Sequence, residues 1–535
     1  MNAPSSASTA EARLRDNYTD FEKHVQDAER LLAERRFDEA AMSAACAAWL
    51  ATKRHPGVFA SERLERVLHA VAATLRDPSS AVARPQSATD IKRILHVVTE
   101  VPPVGGLTRL VRRWIDTDHT REHSLVVTRD RGSLPEYLTD AVRRSGGSVF
   151  SLNHQLGNVR DWAQQLRQLS RDYDLVVLDI NCEDVVPVIA FAGTSDIPPV
   201  IAMNHADHLF WLGSSICHGV LNLRDAAADI TTGRRGVAPE RSLMLPTPVE
   251  APVRNASREA ARKAIGVEDD SVVMISVARG AKYRPIDGMT YADRFVDLLN
   301  ENPNAKMFVV GSGMPEGWDK AAAKTGGRII GIPERPDPWE YFEAADIYID
   351  SYPFSSSTSL MEAAGYGLPL VTLFKAPDEA RLVGINHLGL IGGIHQARSD
   401  TEWQEEIVRL IRDKAYRAER SKLALKAVAV THPEKWMQWL ERAYQAAAEL
   451  PPLPADLQPM PGQVDQPHFG EPDIRHEDMY GSNGDVNEFI KDFTGLLPFG
   501  ARFRTVRHLQ QQGKVGGLAA LKLLVPEWMK RRLSR

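Results

Sequence analysis

The sequence predicts an α/β protein with two Rossmann-like domains facing a cleft, an N-terminal helical domain and a C-terminal helical tail. Three observations carry that prediction. Apolar strand candidates alternate with helical patterns, the signature of a doubly wound parallel sheet. The alternation runs through twice, with the Pro-rich Leu245-Pro246-Thr247-Pro248 between the two passes. The strand candidates end in loops of Gly, hydroxyl or charged residues, where open α/β sheets bind their ligands.

Before the first pass, Phe21, Val25, Ala28, Leu31 and Leu32, then Phe37, Ala40, Ala41, Ala44, Ala45 and Ala48, recur at helical spacing. The small residues of the second set permit close helix packing, as in helical-hairpin repeats, yet only one or two such units are visible. A helical bundle docked on the next domain is therefore preferred to a peptide-binding repeat groove. The first pass has strand candidates at 94–98, 125–127, 149–152, 175–178 and 200–203. The second has them at 272–277, 307–310 and 329–332, followed by 345–349 and 370–374. The organisation expected is a helical domain and linker over 1–88, Rossmann-like domains over 89–250 and 251–450, a linker over 451–500 and a basic amphipathic tail over 501–535.

The 535 residues carry a formal charge of -5, so no global electrostatic case exists for nucleic acid. Neither a signal-peptide run nor about 18 uninterrupted apolar residues occurs, which points to a cytoplasmic protein. The three cysteines, Cys46, Cys182 and Cys217, lie far apart in sequence and suggest packed thiols rather than disulfides or a metal site.

The most informative stretch runs from Asp350 to Thr372. Ala345 to Ile349 reads as a buried strand, the hydroxyl-rich Ser355-Ser356-Ser357-Thr358-Ser359 as a turn entering a helix, and Gly367-Leu368-Pro369 as its stop. Free backbone N–H groups and the hydroxyls of Ser357, Thr358 and Ser359 then converge where a phosphate fits. Glu362, further along the helix, is placed to accept hydrogen bonds from a ribose.

In order and spacing this stretch resembles the donor-nucleotide site of GT-B glycosyltransferases, and the O-GlcNAc transferase family in particular. It is less similar to the retaining GT-B enzymes with Glu-x7-Glu: Glu362 matches their second Glu, but Phe354 stands at the first, which leaves the stereochemical outcome open. The resemblance covers roughly residues 91–450. It implies a hexosyl- or N-acetylhexosaminyl-transferase using a nucleoside-diphosphate sugar as co-substrate, with no other cofactor. The domain over 89–250 then takes the acceptor side and that over 251–450 the donor nucleotide. The acceptor class, glycan, lipid or protein, stays open.

Arg279 and Lys282, after the first strand of the second half, resemble the cationic pair that neutralises a leaving nucleoside diphosphate in this fold. Gly105 and Gly106 in the first loop, and Gly311 in the second half, allow a backbone to approach the donor. His205, in Asn204-His205-Ala206-Asp207-His208 at a strand end, is the catalytic candidate, as general base or sugar contact. Two histidines beside Asp207 also raise a metal, but no further ligand motif and no Asp-x-Asp follows, so metal-independent catalysis is expected. Glu362 and His205 are expected on opposite walls of one cleft. The tail from 502 to 535 interleaves basic and apolar residues around a single acid, Glu527, which suggests an anionic membrane surface as partner and a peripheral place on the inner face. The rivals are a sugar-nucleotide epimerase of the same fold and a non-catalytic scaffold.

Overall fold

In the computed structural model, residues 6–76, 82–102, 106–132, 134–286, 288–335 and 338–533 are described. The chain divides into two units, Met1–Leu245 with Gln438–Arg535, and Pro246–Met437. Each contains one parallel sheet.

The sheet of the first unit comprises β1 (Arg93–Val98), β2 (Glu122–Val127), β3 (Val149–Ser151), β4 (Leu175–Asp179), β5 (Val200–Asn204), β6 (Gly219–Asn222) and β7 (Ser242–Met244), in the order β3-β2-β1-β4-β5-β6-β7. The second sheet comprises β8 (Val272–Val277), β9 (Ala305–Val310), β10 (Ile329–Ile332), β11 (Ile347–Ile349), β12 (Leu370–Leu373) and β13 (Ile394–Ala397), in the order β10-β9-β8-β11-β12-β13. Both orders reverse beside their first strand, β1 against β4 and β8 against β11. At such a switch point the flanking crossovers leave on opposite faces and the loops at the carboxyl ends part, opening a crevice. The central strands are apolar on both faces because helices cover both. In β8, Val272 and Met274 enter one cluster with Val371 and Leu373, while Val273 and Ile275 enter another with Tyr348 and Leu370.

The first unit adds helices to this plan. Ser6–Ala33, Phe37–Lys53 and Glu62–Ala72 bury Phe21, Val25, Leu64 and Val67 in one cluster with Leu95 and Val97 of β1 and Val176 and Leu178 of β4. The alanines of Phe37–Lys53 are buried, and without bulky side chains the helix lies close to its neighbours. The N-terminal helices thus share the core of the first sheet.

The stretch 451–500 departs from the linker expected of it. It forms helices Glu471–Tyr480 and Val486–Thr494, the second capped by Asp485, whose carboxylate accepts from Asn487 N at 2.9 Å. Phe489 and Phe493, one turn apart, with Leu496 and Leu497, enter the cluster of the N-terminal helices, and Phe489 stacks on Trp49 at 5.3 Å. The low apolar content that suggested a linker is concentrated on one face, and that face is buried. The tail also folds, as Phe499–Gln511, Gly517–Leu523 and Glu527–Leu533. Helix Pro433–Glu449 is divided, its residues through Met437 belonging to the second unit and those from Gln438 to the first. Among the described residues no helix is long and apolar enough to cross a membrane.

Because Phe493 is only 3% exposed, Phe493→Ala should destabilise the protein by about 3–5 kcal/mol. Urea denaturation followed on the first unit's tryptophans measures it; a change below about 0.5 kcal/mol would match a linker residue.

Candidate functional site

At the switch point of the second sheet, the loop after β8 meets the loop after β11. Asp350 follows β11, and its buried carboxylate accepts hydrogen bonds from the backbone N–H of Ser351 and of Ser356, both at 2.9 Å, and from Thr372 Oγ1 of β12 at 2.8 Å. One carboxylate thus closes the turn 351–356 and ties it to the next strand. Ser351 Oγ adds a bond to Phe354 O at 2.7 Å, and Tyr291 Oη donates to Asp350 O at 2.8 Å. Burial pushes the Asp350 carboxyl above its usual range, against its hydrogen bonds and the nearby Lys282 charge.

The helix that follows is Ser357–Gly365, and no side chain caps its first turn; Ser356 Oγ bonds instead to Ser359 Oγ at 3.1 Å. Leu360, Met361, Ala363 and Ala364 face the core, while Ser357, Thr358 and Ser359 are half-buried at its start. Glu362 lies one turn beyond Thr358 on the same face and is also half-buried. The helix stops in a Schellman arrangement: Gly367 N donates to Ala364 O at 2.9 Å and Leu368 N to Ala363 O at 3.0 Å, with Gly367 at φ +77°.

From the other loop, Lys282 Nζ donates to Ser355 O at 2.8 Å and sits 4.5 Å from the centroid of the Phe354 ring. Burial, aided by the Arg279 charge, pushes its ammonium down to about 8, while Asp350 acts in the opposite direction. Arg279 is exposed at the start of the turn Gly280–Tyr283. The structure therefore brings Lys282 to the turn that leads into Ser357–Gly365, with Arg279 near enough to act on its charge. Phe354, at the position of a carboxylate in the retaining enzymes, is the aromatic face under Lys282.

Gly311 belongs to this neighbourhood for another reason. It has φ +98°, and a Cβ there would lie 2.3 Å from Ala278 O. Its lack of a side chain lets the end of β9 press against the loop after β8, directly before Arg279. This close approach is to the protein's own backbone.

In the first unit, Gly106 opens the helix Gly106–Thr117 after β1, with open space where a Cβ would stand; Gly105 lies outside the described residues. His205 directly follows β5. Its Nδ1 lies 3.2 Å from Met203 O, and a proton on Nδ1 leaves the lone pair on Nε2. His205 lines a small cavity of about 30 Å³ with Ile180, Asn181, Cys182 and Trp211. Burial holds its imidazole below the usual range, opposed first by the charge of Asp179. Asp179 ends β4, is fully buried and accepts no hydrogen bond among the described residues; His96 Nδ1 lies 3.7 Å away. No motif marked Asp179, and Asp350 opened the donor-site stretch in the sequence without a role for its carboxylate, although the first ends an apolar strand and the second directly follows one.

The metal alternative at Asn204–His208 meets a direct obstacle. Arg224 Nε and Nη2 donate to the two oxygens of Asp207 at 2.6 and 2.8 Å, holding its carboxyl well below the usual range. A carboxylate forked by a guanidinium has little left for a cation. Among the described residues no cluster of ligating side chains could hold a metal ion.

No protein-family model matches the chain, and no curated protein matches it in sequence. Solved structures do. HepE of Anabaena in complex with UDP is 16% identical, at TM-score 0.50, over 66% of this chain and 99% of that one. A glycosyltransferase from Rickettsia africae is 11% identical, also at TM-score 0.50, over 66% of this chain and 98% of that one. A mutant O-GlcNAc transferase from Thermobaculum terrenum is 16% identical, at TM-score 0.49, over 83% of this chain and 85% of that one. The chain has the GT-B fold of glycosyltransferases.

Asp350→Ala should leave two backbone N–H groups and a hydroxyl without their acceptor and cost about 2–4 kcal/mol. Asp350→Asn, which keeps an acceptor oxygen, should cost less. Chemical denaturation of the two variants checks the order; equal losses would mean that the carboxylate only fills space.

Proposed function

We propose that the protein is a glycosyltransferase that moves a hexosyl or N-acetylhexosaminyl group from a nucleoside-diphosphate sugar to an acceptor hydroxyl without a divalent metal. The observation that carries this reading is the Lys282–Ser355 bridge beside the uncapped start of Ser357–Gly365. It places a desolvated cation and free N–H groups at a sheet switch point, where a diphosphate is well held.

In this reading the diphosphate lies against the N–H groups and hydroxyls of Ser357, Thr358 and Ser359, with Arg279 and Lys282 supplying positive charge. Glu362 accepts hydrogen bonds from the ribose. The acceptor oxygen forms a bond to the anomeric carbon as the bond from that carbon to the phosphate oxygen breaks. The hydroxyl proton passes to Nε2 of His205, and the electron pair of the broken bond stays on the departing nucleoside diphosphate. Negative charge grows on the leaving group, so cations fixed there lower the barrier more than they strengthen ground-state binding.

The direct test is release of free nucleoside diphosphate from a sugar nucleotide in EDTA. Release that requires acceptor supports transfer. Epimerised sugar nucleotide without release would identify an epimerase, and no binding of UDP-, GDP-, ADP- or dTDP-sugars would leave a scaffold.

Lys282 gives the donor site a pH dependence with a definite sign. Its ammonium is depressed to about 8 in the free protein, and a bound diphosphate raises it. Affinity should be full below pH 8 and fall as pH rises above it, by up to about tenfold per unit until the bound value is reached. Calorimetric titration with the diphosphate should show this slope, and Lys282→Arg should flatten it. Lys282→Ala and Arg279→Ala should each weaken binding; unchanged affinity in both would remove them from the site.

His205→Ala should lower kcat by ~10²–10⁴-fold, with little effect on donor affinity. Because burial lowers the imidazole below 6.5, the acid limb of kcat/KM should fall below pH 6.5. Normal turnover in the variant would remove His205 from catalysis.

A further inference from the structure

The helices at 499–533 present a surface that the donor site does not explain. Among the described residues, twelve large apolar side chains are exposed, and five of them, Phe499, Phe503, Leu518, Leu521 and Met529, fall in this short segment. Scattered exposed apolar residues are ordinary, but a concentration is not. Phe499 at 68% and Phe503 at 50% exposure are one turn apart on Phe499–Gln511, and Leu518 at 76% and Leu521 at 61% are one turn apart on Gly517–Leu523. These two helices pack against each other.

The charge of the segment itself is nearly all of one sign, although Asp485, ahead of it in the chain, acts on Lys514. Arg507, Lys514 and Lys522 are exposed and form no ion pair among the described residues. The single acid from 499 to 535, Glu527, is buried and paired with Arg531. Other basic residues of the segment serve the fold. Arg502 is buried and donates to Leu524 O and Leu497 O, and Arg504 pairs with Glu39. Val506 and Leu509 face inward, so Phe499–Gln511 already has a buried face, and Phe499 and Phe503 lie off it.

We propose that Phe499, Phe503, Leu518 and Leu521, flanked by Arg507, Lys514 and Lys522, dock on an anionic lipid bilayer. The apolar side chains enter the boundary between headgroups and acyl chains while the cations meet lipid phosphates. Burial of apolar surface and attraction to the anionic surface then act together. The docking face is narrower than the whole basic segment, because Arg502 is buried and Arg504 and Arg531 are paired with Glu39 and Glu527.

Sedimentation of the full chain with phosphatidylcholine vesicles, with and without phosphatidylglycerol, tests this. Binding is expected only with phosphatidylglycerol, and should weaken as ionic strength rises from about 0.1 to about 1 M, where the screening length falls from roughly 10 to 3 Å. The combined variant Phe499→Ser, Phe503→Ser, Leu518→Ser and Leu521→Ser, and separately Arg507→Glu, Lys514→Glu and Lys522→Glu, should each partition at least about tenfold more weakly. Their thermal midpoints should match the parent, since every altered side chain is exposed. Equal binding to pure phosphatidylcholine, or undiminished binding by both variants, would overturn the proposal. So would a parent that ignores vesicles but forms a dimer lost in the serine variant, which would make the face a contact between copies.

Discussion

The buried carboxylate of Asp350 holds the second unit's site in shape. A turn of hydroxyl residues before a helix has many backbone geometries available, and ordering it costs about 1–2 kcal/mol per residue in backbone entropy. Asp350 offsets part of that cost by taking Ser351 N, Ser356 N and Thr372 Oγ1 at once, so the turn, the helix start and β12 are fixed to one side chain. Lys282 then finds Ser355 O in place. Burial raises the Asp350 carboxyl and lowers the Lys282 ammonium, and each charge favours the other. Neither shift would arise on a solvated loop.

The same economy of backbone explains the glycines. Gly311 allows the end of β9 to meet Ala278 O, and Gly331 stands so near Gly313 O that a Cβ would lie 1.8 Å away. The loop after β9 therefore packs backbone to backbone against the loop after β8 on one side and against β10 on the other. Backbone fixed in this way loses less freedom when a ligand binds than a loose loop does.

Strands with runs of Val, Ile and Leu were legible in the sequence because burial on both faces leaves no alternation to misread, and the turn after β11 was legible because hydroxyls, a following helix and Gly367 each carry a local signal. Short or peripheral strands were not. Gly219–Asn222 and Ser242–Met244 are too brief to stand out, and Ile394–Ala397 is an edge strand with half-buried residues. The helices over 471–494 escaped because their stabilisation is tertiary: Phe489 and Phe493 matter through Trp49, more than 400 residues earlier in the chain. Arg279 and Lys282 could be named from position, but the Lys282 bond to a carbonyl 73 residues on could not. The metal alternative at Asp207 likewise needed the structure, since Arg224 lies 17 residues away.

The most direct measurement is a crystal structure of the chain with the nucleoside diphosphate that raises its thermal midpoint most. The account predicts the diphosphate against the N–H groups of Ser357, Thr358 and Ser359, with Arg279 and Lys282 within hydrogen-bonding distance of its oxygens and the ribose at Glu362. A diphosphate bound away from the turn that Asp350 closes, or one that leaves Lys282 on Ser355 O with no contact to phosphate, would contradict it.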